Sequence, residues 1–492
     1  MEKVFDYEVG IIGAGIVGAF TFDTLVTNGV KTCLCEAGED VSLGASKANS
    51  AIIHAGYDPI PGSNMARLNV KGNKMYEEVA ERLGEKLLKC GSIVVADETG
   101  LDGIKELYER GLANGVSGLK ILNKEELHAL EPNLNDNLCY GLLAKTAKVV
   151  SPYNFTISLC EEAIINGGTL KLDYPVDKLE FKNGGWKVSS GKNSFTCHYL
   201  VNCAGAGCDK INELAGAEKL NLTYTLGEYI LLDKSEHGLV NRPIFPMPTK
   251  LGKGILVAPT VAGNIICGPT AKLIDKYSTR VTSEGVIEIR EKTKNLVNGI
   301  DFRKAIKLYA GVRVKEGKDF ILGFSKLVPN FYITAGICSP GLASAPAIAD
   351  EILQNLQKCG VKTHKIAIKR RKPYINTQNL TEEEFAVLIA KNPKFGKLIC
   401  RCEGITEGEI EQVLKGVITP LTVEGIKRRL RATMGRCQGS FCLPMIIDIM
   451  AKYYKIDPSQ VIIRGKTSLV TSRVKEAGIY SQKEEEEPKT NG

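Results

Sequence analysis

The sequence predicts an α/β protein with a discontinuous strand–glycine–helix domain, a β-rich portion inserted into it, and a small helical module towards the C-terminal end. Three observations carry that prediction. YEVGII (7–12) is a short apolar run that meets GAGIVG and continues as an apolar stretch to Asn28, the pattern of a buried strand turning through glycines into a helix. YLVNCAGAGCDKINELAG (199–216) and NFYITAGICSPGLASAPAIADEILQNL (330–356) repeat the pattern far along the chain. Alternating β patterns such as 229–232 lie between those two, with 186–189 just before them.

At 492 residues the chain is too long for one core, so two or three domains are expected. Hydrophobic residues at 43% and charged residues at 24% suit a globular protein, and 50 glycines favour many βα turns over a helix bundle. Asp6 and Glu8 interrupt the place where a secretory leader needs an apolar run, and 9–20 is too short and glycine-rich to span a bilayer. Fifteen cysteines in such a chain read as reduced thiols, and the expectation is a cytoplasmic protein with no transmembrane segment, peripheral membrane association being left open. The net charge of +8 is concentrated in Lys369, Arg370, Arg371 and Lys372 and in Lys427, Arg428, Arg429, Arg431 and Arg436. No aromatics interleave these runs, which argues for a basic docking surface and against nucleic acid.

The first strand, turn and helix carry chemistry. Gly13, Gly15 and Gly18 form G-x-G-x-x-G between a strand and a helix, and KTCLCE (31–36) supplies the second strand, which ends at Glu36. Gly13 permits the turn, Gly15 lets backbone approach a pyrophosphate, and Gly18 lets helix and strand pack closely. The helix N-terminus offers N–H groups to phosphate, and the Glu36 carboxylate can accept from a ribose hydroxyl. This is a Rossmann-like dinucleotide site, and the βαβ unit alone does not separate FAD from NAD.

GASKANSAIIHAGYD (44–58) resembles the segment that lines the flavin in the D-amino-acid-oxidase-like superfamily, which includes FAD-dependent glycerol-3-phosphate and L-2-hydroxyglutarate dehydrogenases. The resemblance extends through NCAGAGCDKINELAG, LYAGVRVKEGKDFILG (308–323) and GICSPGLASAPAIA (336–349), and covers roughly residues 5–360. It implies a Rossmann-like FAD-binding fold with an inserted β-rich substrate domain. Ser46, Lys47, Asn49 and Ser50 would lie near the pyrophosphate or flavin, Ala204 and Gly205 in the second glycine turn, and Gly336, Gly341 and Leu342 at the pyrimidine end of the ring. Oxidising an alcohol at a flavin needs a base for the hydroxyl proton and an anchor for an anionic end. His54 in the flavin-lining stretch fits the base. Arg313 in GVRV resembles the family's substrate-anion arginine, whose fork suits carboxylate or phosphate. Lys318 follows in the same motif, and Val314 stands where most relatives have proline. Arg67 and Tyr229 are lesser candidates. His128, His198, His237 and His364 lack any partner pattern and read as surface or core residues.

Cys400-Arg401-Cys402 and Cys437-Gln438-Gly439-Ser440-Phe441-Cys442 form a second constellation, C-x-C…C-x-x-x-x-C, separated by residues 403–436. Four thiolates on two tight turns can surround one inorganic cluster. Zinc also takes four cysteines, but its knuckles usually place two to four residues inside each pair. Thr406 followed by Glu409 fits a helix-capping box, and Ile426, Leu430 and Met434 make a helical stripe before the second pair. CRCEGIT and RCQGSFC resemble the bacterioferritin-associated-ferredoxin-like domain, which implies a 2Fe–2S cluster in a small helical iron–sulfur domain, with the basic residues offsetting its negative charge.

The expected organisation is an FAD-dependent oxidoreductase domain over 1–365, a linker over 366–395, a 2Fe–2S domain over 396–475 and a disordered tail over 476–492. The pattern most resembles anaerobic glycerol-3-phosphate dehydrogenases. It implies oxidation of a small anionic substrate, sn-glycerol 3-phosphate to dihydroxyacetone phosphate, with electrons leaving through the cluster to a redox partner subunit or acceptor. An L-2-hydroxy-acid dehydrogenase and a non-catalytic electron-transfer subunit are the alternatives.

Overall fold

Tyr7–Ile12 forms a buried strand at the centre of the first sheet. Thr32–Cys35 and then Thr169–Lys171 lie on one side of it, and Asn193–Asn202 and then Phe331–Ala335 on the other. All five run parallel, so helical crossovers must connect them. Helix Ile16–Thr27 follows the first strand and packs against helices Pro152–Ile165 and Gly341–Lys358. It is apolar nearly all round because it is covered on nearly every face. The antiparallel strand Ile321–Phe324 borders Phe331–Ala335. Trp186, with Phe195 and Phe331 around it, fills the core beside the sheet. The stretch 186–189, expected just before the β-rich insertion, instead belongs to the hairpin Lys178–Lys182/Gly185–Ser190, which extends antiparallel from Asn193–Asn202.

The computed structural model describes residues 5–248, 254–465 and 468–469, in two compact units that meet between Pro373 and Tyr374. In the first unit a nine-stranded sheet forms the β-rich part. Its longest pair is Thr223–Leu232 with Ala305–Lys315, antiparallel. Strands Ser92–Ala96, Leu119–Leu122 and Tyr140–Ala144 also belong to it, joined through the parallel pairing of Ser92–Ala96 with Ile244–Pro246. The inserted domain is therefore drawn from two stretches of chain, and the alternation expected over 229–232 is absent, since all four residues are buried. Ser92–Ala96 is buried throughout, and a fully covered strand loses its period-two signature.

The second unit is helical, as expected. Glu407–Leu414, Val423–Leu430 and Cys442–Tyr454 surround a core of Ile399, Ile410, Val413, Ile426, Ile446 and Met450, and helix Glu382–Lys391 packs on the turn Pro393–Gly396. The box of Thr406 and Glu409 caps Glu407–Leu414. The segment 366–395 departs from a plain linker: residues up to 373 belong to the first unit, and 382–391 is a capped helix of the second. The expected tail over 476–492 lies outside the described residues.

The basic runs are only in part the open surface expected of them: Lys369, Arg370, Lys372 and Arg436 are exposed, whereas Arg371, Arg428 and Arg429 are buried. Arg371 is 6% exposed; its Nε donates to Glu161 Oε2 at 3.1 Å and its Nη1 to the Leu83 carbonyl at 3.0 Å, with Glu85 at 3.6 Å. Arg428 and Arg429 are equally buried, and Arg429 donates to the carbonyls of Gly425 and Ile418. These guanidiniums satisfy buried carboxylates and carbonyls that an apolar side chain would leave unpaired. Removing one member of a buried ion pair typically costs about 3–5 kcal/mol. Arg371→Ala is therefore expected to lower the unfolding free energy of the first unit by that order, read from urea titrations followed by circular dichroism, whereas Lys372→Ala next to it leaves it unchanged.

Candidate functional site

Three glycine-bearing turns leave the carboxyl ends of three adjacent parallel strands, where open α/β sheets place their ligand crevice. Gly13 takes φ +103, and a methyl there would meet the Cys203 carbonyl oxygen at 2.5 Å and Ala204 Cα at 2.8 Å. The first two turns are thus pressed against each other, with Cys203 and Ala204 opposite Gly13 and Gly205 next in the same turn. A methyl on Gly18 would collide with the Gly13 carbonyl, so helix and turn meet with no room for a side chain. Gly15 differs: a methyl there would meet only Ser46 Oγ, at 3.2 Å. The tightness at Gly13 and Gly18 is internal packing, while Gly15 leaves the helix N-terminus open to a ligand. Ser46 Oγ accepts from Ile16 N at 2.8 Å, and Glu36 bridges Ala14 N (2.8 Å) and Gly38 N (3.0 Å). Glu36 therefore braces the turn, and its carboxylate retains lone pairs for a hydroxyl. Buried Asn202 orders the second turn by accepting from Ala204 N and donating to Cys208 O and Asn212 Oδ1.

Segment 44–58 runs from this crevice to the second sheet. A methyl on Gly311 would overlap the Ala48 carbonyl, so strand Ala305–Lys315 lies directly on the segment. Two stacked rings, Tyr229 and Tyr309, add to the clamp with centroids 4.7 Å apart. The Tyr229 hydroxyl lies 3.2 Å from Ser50 Oγ, and the Tyr309 hydroxyl donates to the Asn49 carbonyl at 3.3 Å. Asn49 Oδ1 accepts from Ala51 N at 2.7 Å, which helps hold Ala51 at φ +62. Lys47 lies exposed on the short turn Ala45–Lys47. Burial holds the Tyr309 phenol well above its ordinary range, so it stays a donor.

Arg313 stands on the clamped strand two residues past Gly311, paired in register with Thr225. Half-buried, it has no hydrogen-bond or ion-pair partner among the described residues. His54 is half-buried; its Nε2 lies 3.4 Å from Ser339 Oγ and its ring centroid 5.6 Å from that of Phe245. Its carbonyl accepts from Asn69 Nδ2 at 2.6 Å and Asn73 Nδ2 at 3.0 Å. Gly336, at φ +66, abuts Glu316 just beyond the Arg313 strand, and the Leu342 carbonyl accepts from the buried Tyr76 hydroxyl at 2.6 Å. Gly341 opens the helix Gly341–Lys358. The third turn thus adjoins both His54 and the Arg313 strand.

Lys318 is not brought into this group: it is exposed on the turn after the strand. Its neighbour Asp319 accepts from Asn64 N (2.7 Å) and Met65 N (3.0 Å), capping helix Asn64–Leu83. Arg67 is engaged with Glu351 at 2.6 Å on the surface. Ser339, Phe245, Tyr309, Asn69 and Asn73 escaped the sequence reading. The residues lie on four separate segments and carry no local pattern, although the i, i+4 spacing of the two asparagines on one helix was available.

In the second unit the four cysteines converge as two pairs. Cys400 neighbours Cys442, and Cys402 neighbours Cys437. The Cys442 thiol and the N–H groups of Thr433 and Glu403 bring Cys400 down to about 6 against the effect of burial. Burial opposes ionisation of Cys437, yet the N–H groups of Phe441 and Gly439 hold it below its usual range. A methyl on Gly435 would overlap Cys402 Cβ, so the turn closes tightly behind that ligand. Two thiol pairs with N–H donors beside them would supply the four thiolates that hold a binuclear cluster. Cys400 and Cys442 are 1% exposed, whereas Cys402 is open to solvent beside Arg401, which lies over the ring of Phe441. The other eleven cysteines also form no disulfide. Among the described residues, no helix is long and apolar enough to cross a membrane.

Comparison with known proteins agrees with this geometry. Residues 8–354 match the family model "FAD dependent oxidoreductase", and residues 398–452 match "BFD-like [2Fe-2S] binding domain". A glycerol 3-phosphate dehydrogenase of Caloramator mitchellensis is 41% identical over 92% of this chain and 96% of its own length. The mitochondrial L-2-hydroxyglutarate dehydrogenase of Mus musculus is 30% identical over 54% of this chain and 61% of its own. Among solved structures, the L-alpha-glycerophosphate oxidase of Mycoplasma pneumoniae with FAD bound is 29% identical, with a TM-score of 0.71, over 75% of this chain and 99% of that one. The crevice at the strand ends and the four-thiol turn thus have matching counterparts, and the chain belongs to the FAD-dependent oxidoreductases, with FAD and a 2Fe–2S cluster as its cofactors.

Proposed function

We propose that the protein is an FAD-dependent dehydrogenase that oxidises sn-glycerol 3-phosphate to dihydroxyacetone phosphate. The observation that carries the reading is Arg313, a half-buried guanidinium with no partner among the described residues, on the strand that clamps the flavin-lining segment. Such a group calls for an anion, and its planar fork suits a phosphate. The glycerol 3-phosphate dehydrogenase match over nearly the whole chain favours this substrate over a 2-hydroxy acid.

In this reading the backbone at Gly13, Gly15 and Gly18 and the segment from Ser46 to Ser50 hold FAD, with Glu36 on its ribose and Gly336, Gly341 and Leu342 at the ring. Arg313 fixes the phosphate end of the substrate, and His54 accepts the proton of the hydroxyl on the carbon that loses hydride. Phe245, packed on the imidazole, keeps water from its face. FAD supplies the hydride acceptor, and the cluster on Cys400, Cys402, Cys437 and Cys442 supplies one-electron transfer to a redox partner subunit or acceptor. Lys318 has no part in this scheme. Absence of a membrane-crossing helix among the described residues fits cytoplasmic placement, with attachment to a membrane surface through a partner compatible.

Anaerobic mixing is the direct test. sn-Glycerol 3-phosphate should bleach the flavin absorbance in a single turnover, and L-2-hydroxyglutarate should not. Bleaching by the hydroxy acid alone would transfer the assignment to that class.

Replacing Arg313 with lysine keeps the charge and loses the fork. A charge-assisted hydrogen bond contributes roughly 1.5–3 kcal/mol, so kcat/KM should fall by about one to two powers of ten. An unchanged value in steady-state assays would remove Arg313 from the substrate site. Cys437→Ser should abolish the cluster, measured as iron and labile sulfide, and slow reduction of an external one-electron acceptor. Substrate should still bleach the flavin of that variant, and failure to do so would mean that the second unit supports the flavin site itself.

A further inference from the structure

Behind His54 lies a group of buried polar residues that neither cofactor requires. Asn69 and Asn73 stand four residues apart on helix Asn64–Leu83, so they share one face, and they are 0% and 3% exposed. Both aim an amide at a single acceptor, the His54 carbonyl. Asn73 Nδ2 also donates to the Thr146 carbonyl at 2.9 Å. Its Oδ1 accepts from Lys148 Nζ at 2.9 Å, and the same ammonium reaches the carbonyls of Asn73 (3.2 Å) and Thr146 (3.1 Å). Lys148 is 4% exposed, and Glu77, at 3.4 Å, is the carboxylate that faces it. The strand pairing closes the circle, because Lys148 is the register partner of Ile53, the residue before His54.

We propose that Asn69, Asn73 and Lys148 are positioning residues for His54, a proposal that rests on the reading of His54 as the proton acceptor. His54 lies outside regular structure, between the short strand Ile52–Ile53 and Gly56 at φ +115, so no ladder or helix bond fixes its carbonyl. Two amides fix it instead. The ammonium on Asn73 Oδ1 polarises that amide and strengthens its N–H donors. Burying a lysine is a costly way to fill space, and apolar residues of similar volume would serve packing as well or better. The arrangement makes sense as a device that holds one backbone unit, and with it the imidazole, in a fixed place between Ser339 and Phe245. Proton transfer depends steeply on such placement.

A double-mutant cycle on the FAD-loaded full chain tests this. Asn73→Ala and, independently, Lys148→Met should each slow anaerobic flavin reduction by sn-glycerol 3-phosphate about ten-fold, with FAD content kept and substrate Kd within about two-fold of wild type. In a His54→Ala background the same substitutions should change the rate by less than about two-fold, because the group they position is gone. Equal slowing in both backgrounds, or no slowing in either, overturns the network while leaving the role of His54 intact. Wild-type reduction by His54→Ala removes that role and the proposal with it. Loss of FAD in Asn73→Ala, Asn69→Ala and Lys148→Met alike assigns the group to structure and also overturns it.

Discussion

The approach of Gly311 to the Ala48 carbonyl is the constraint on which the site depends. No side chain fits between strand Ala305–Lys315 and the segment that leaves the dinucleotide turn. The segment must therefore follow the strand, and the strand carries Arg313. Tyr229 and Tyr309 fix the same junction by stacking and by their hydroxyls. One sheet carries the crevice at its strand ends and the other carries Arg313, and this junction brings the two together. A glycine in a strand usually weakens it, and here it marks close backbone contact.

The parts legible in the sequence were those whose physics is local. A glycine turn after a strand, a C-x-C pair and a Thr–Glu capping box each declare themselves within a few residues, and Gly13, Gly18, Cys400 and Thr406 stand where those rules place them. The inserted sheet was half legible: 229–232 reads as strand, but 226–232 is buried without a break, as Ser92–Ala96 is, so neither shows the alternation of a half-covered strand. Ser339, Phe245 and the asparagines behind His54 come from distant segments and were invisible one residue at a time. Lys318 is a different case. It belongs to a recognisable motif, but the turn points it to solvent and gives the structural task to Asp319.

Charge is used in the interior more than the composition suggests. Arg82 pairs with Asp23 and Glu162, Arg371 with Glu161 and Glu85, and Arg431 with Glu403. Burial raises the Asp23 carboxyl above its ordinary range even with Arg82 beside it. The modest positive balance of the chain therefore says little about its surface. Runs that look like exposed basic patches contain the guanidiniums that satisfy buried acids and carbonyls.

Helix Asn64–Leu83 passes through nearly every one of these arrangements. Ser63 and Asp319 cap its start, Asn69 and Asn73 hold the His54 carbonyl, and Gly72 lies against the Ala343 carbonyl. Tyr76 reaches Leu342, and Arg82 ends in the buried acids. Twenty residues of helix make a rod about 30 Å long. It acts as the common datum from which the flavin-lining segment, the ring loop and the ionic cluster are all measured. Its amides form one cooperative unit of local stability, so they should be among the last to exchange hydrogen with solvent. A slip of this rod by a single turn would misplace all three at once, which makes its register, more than any one side chain, the tolerance to which the active site is built.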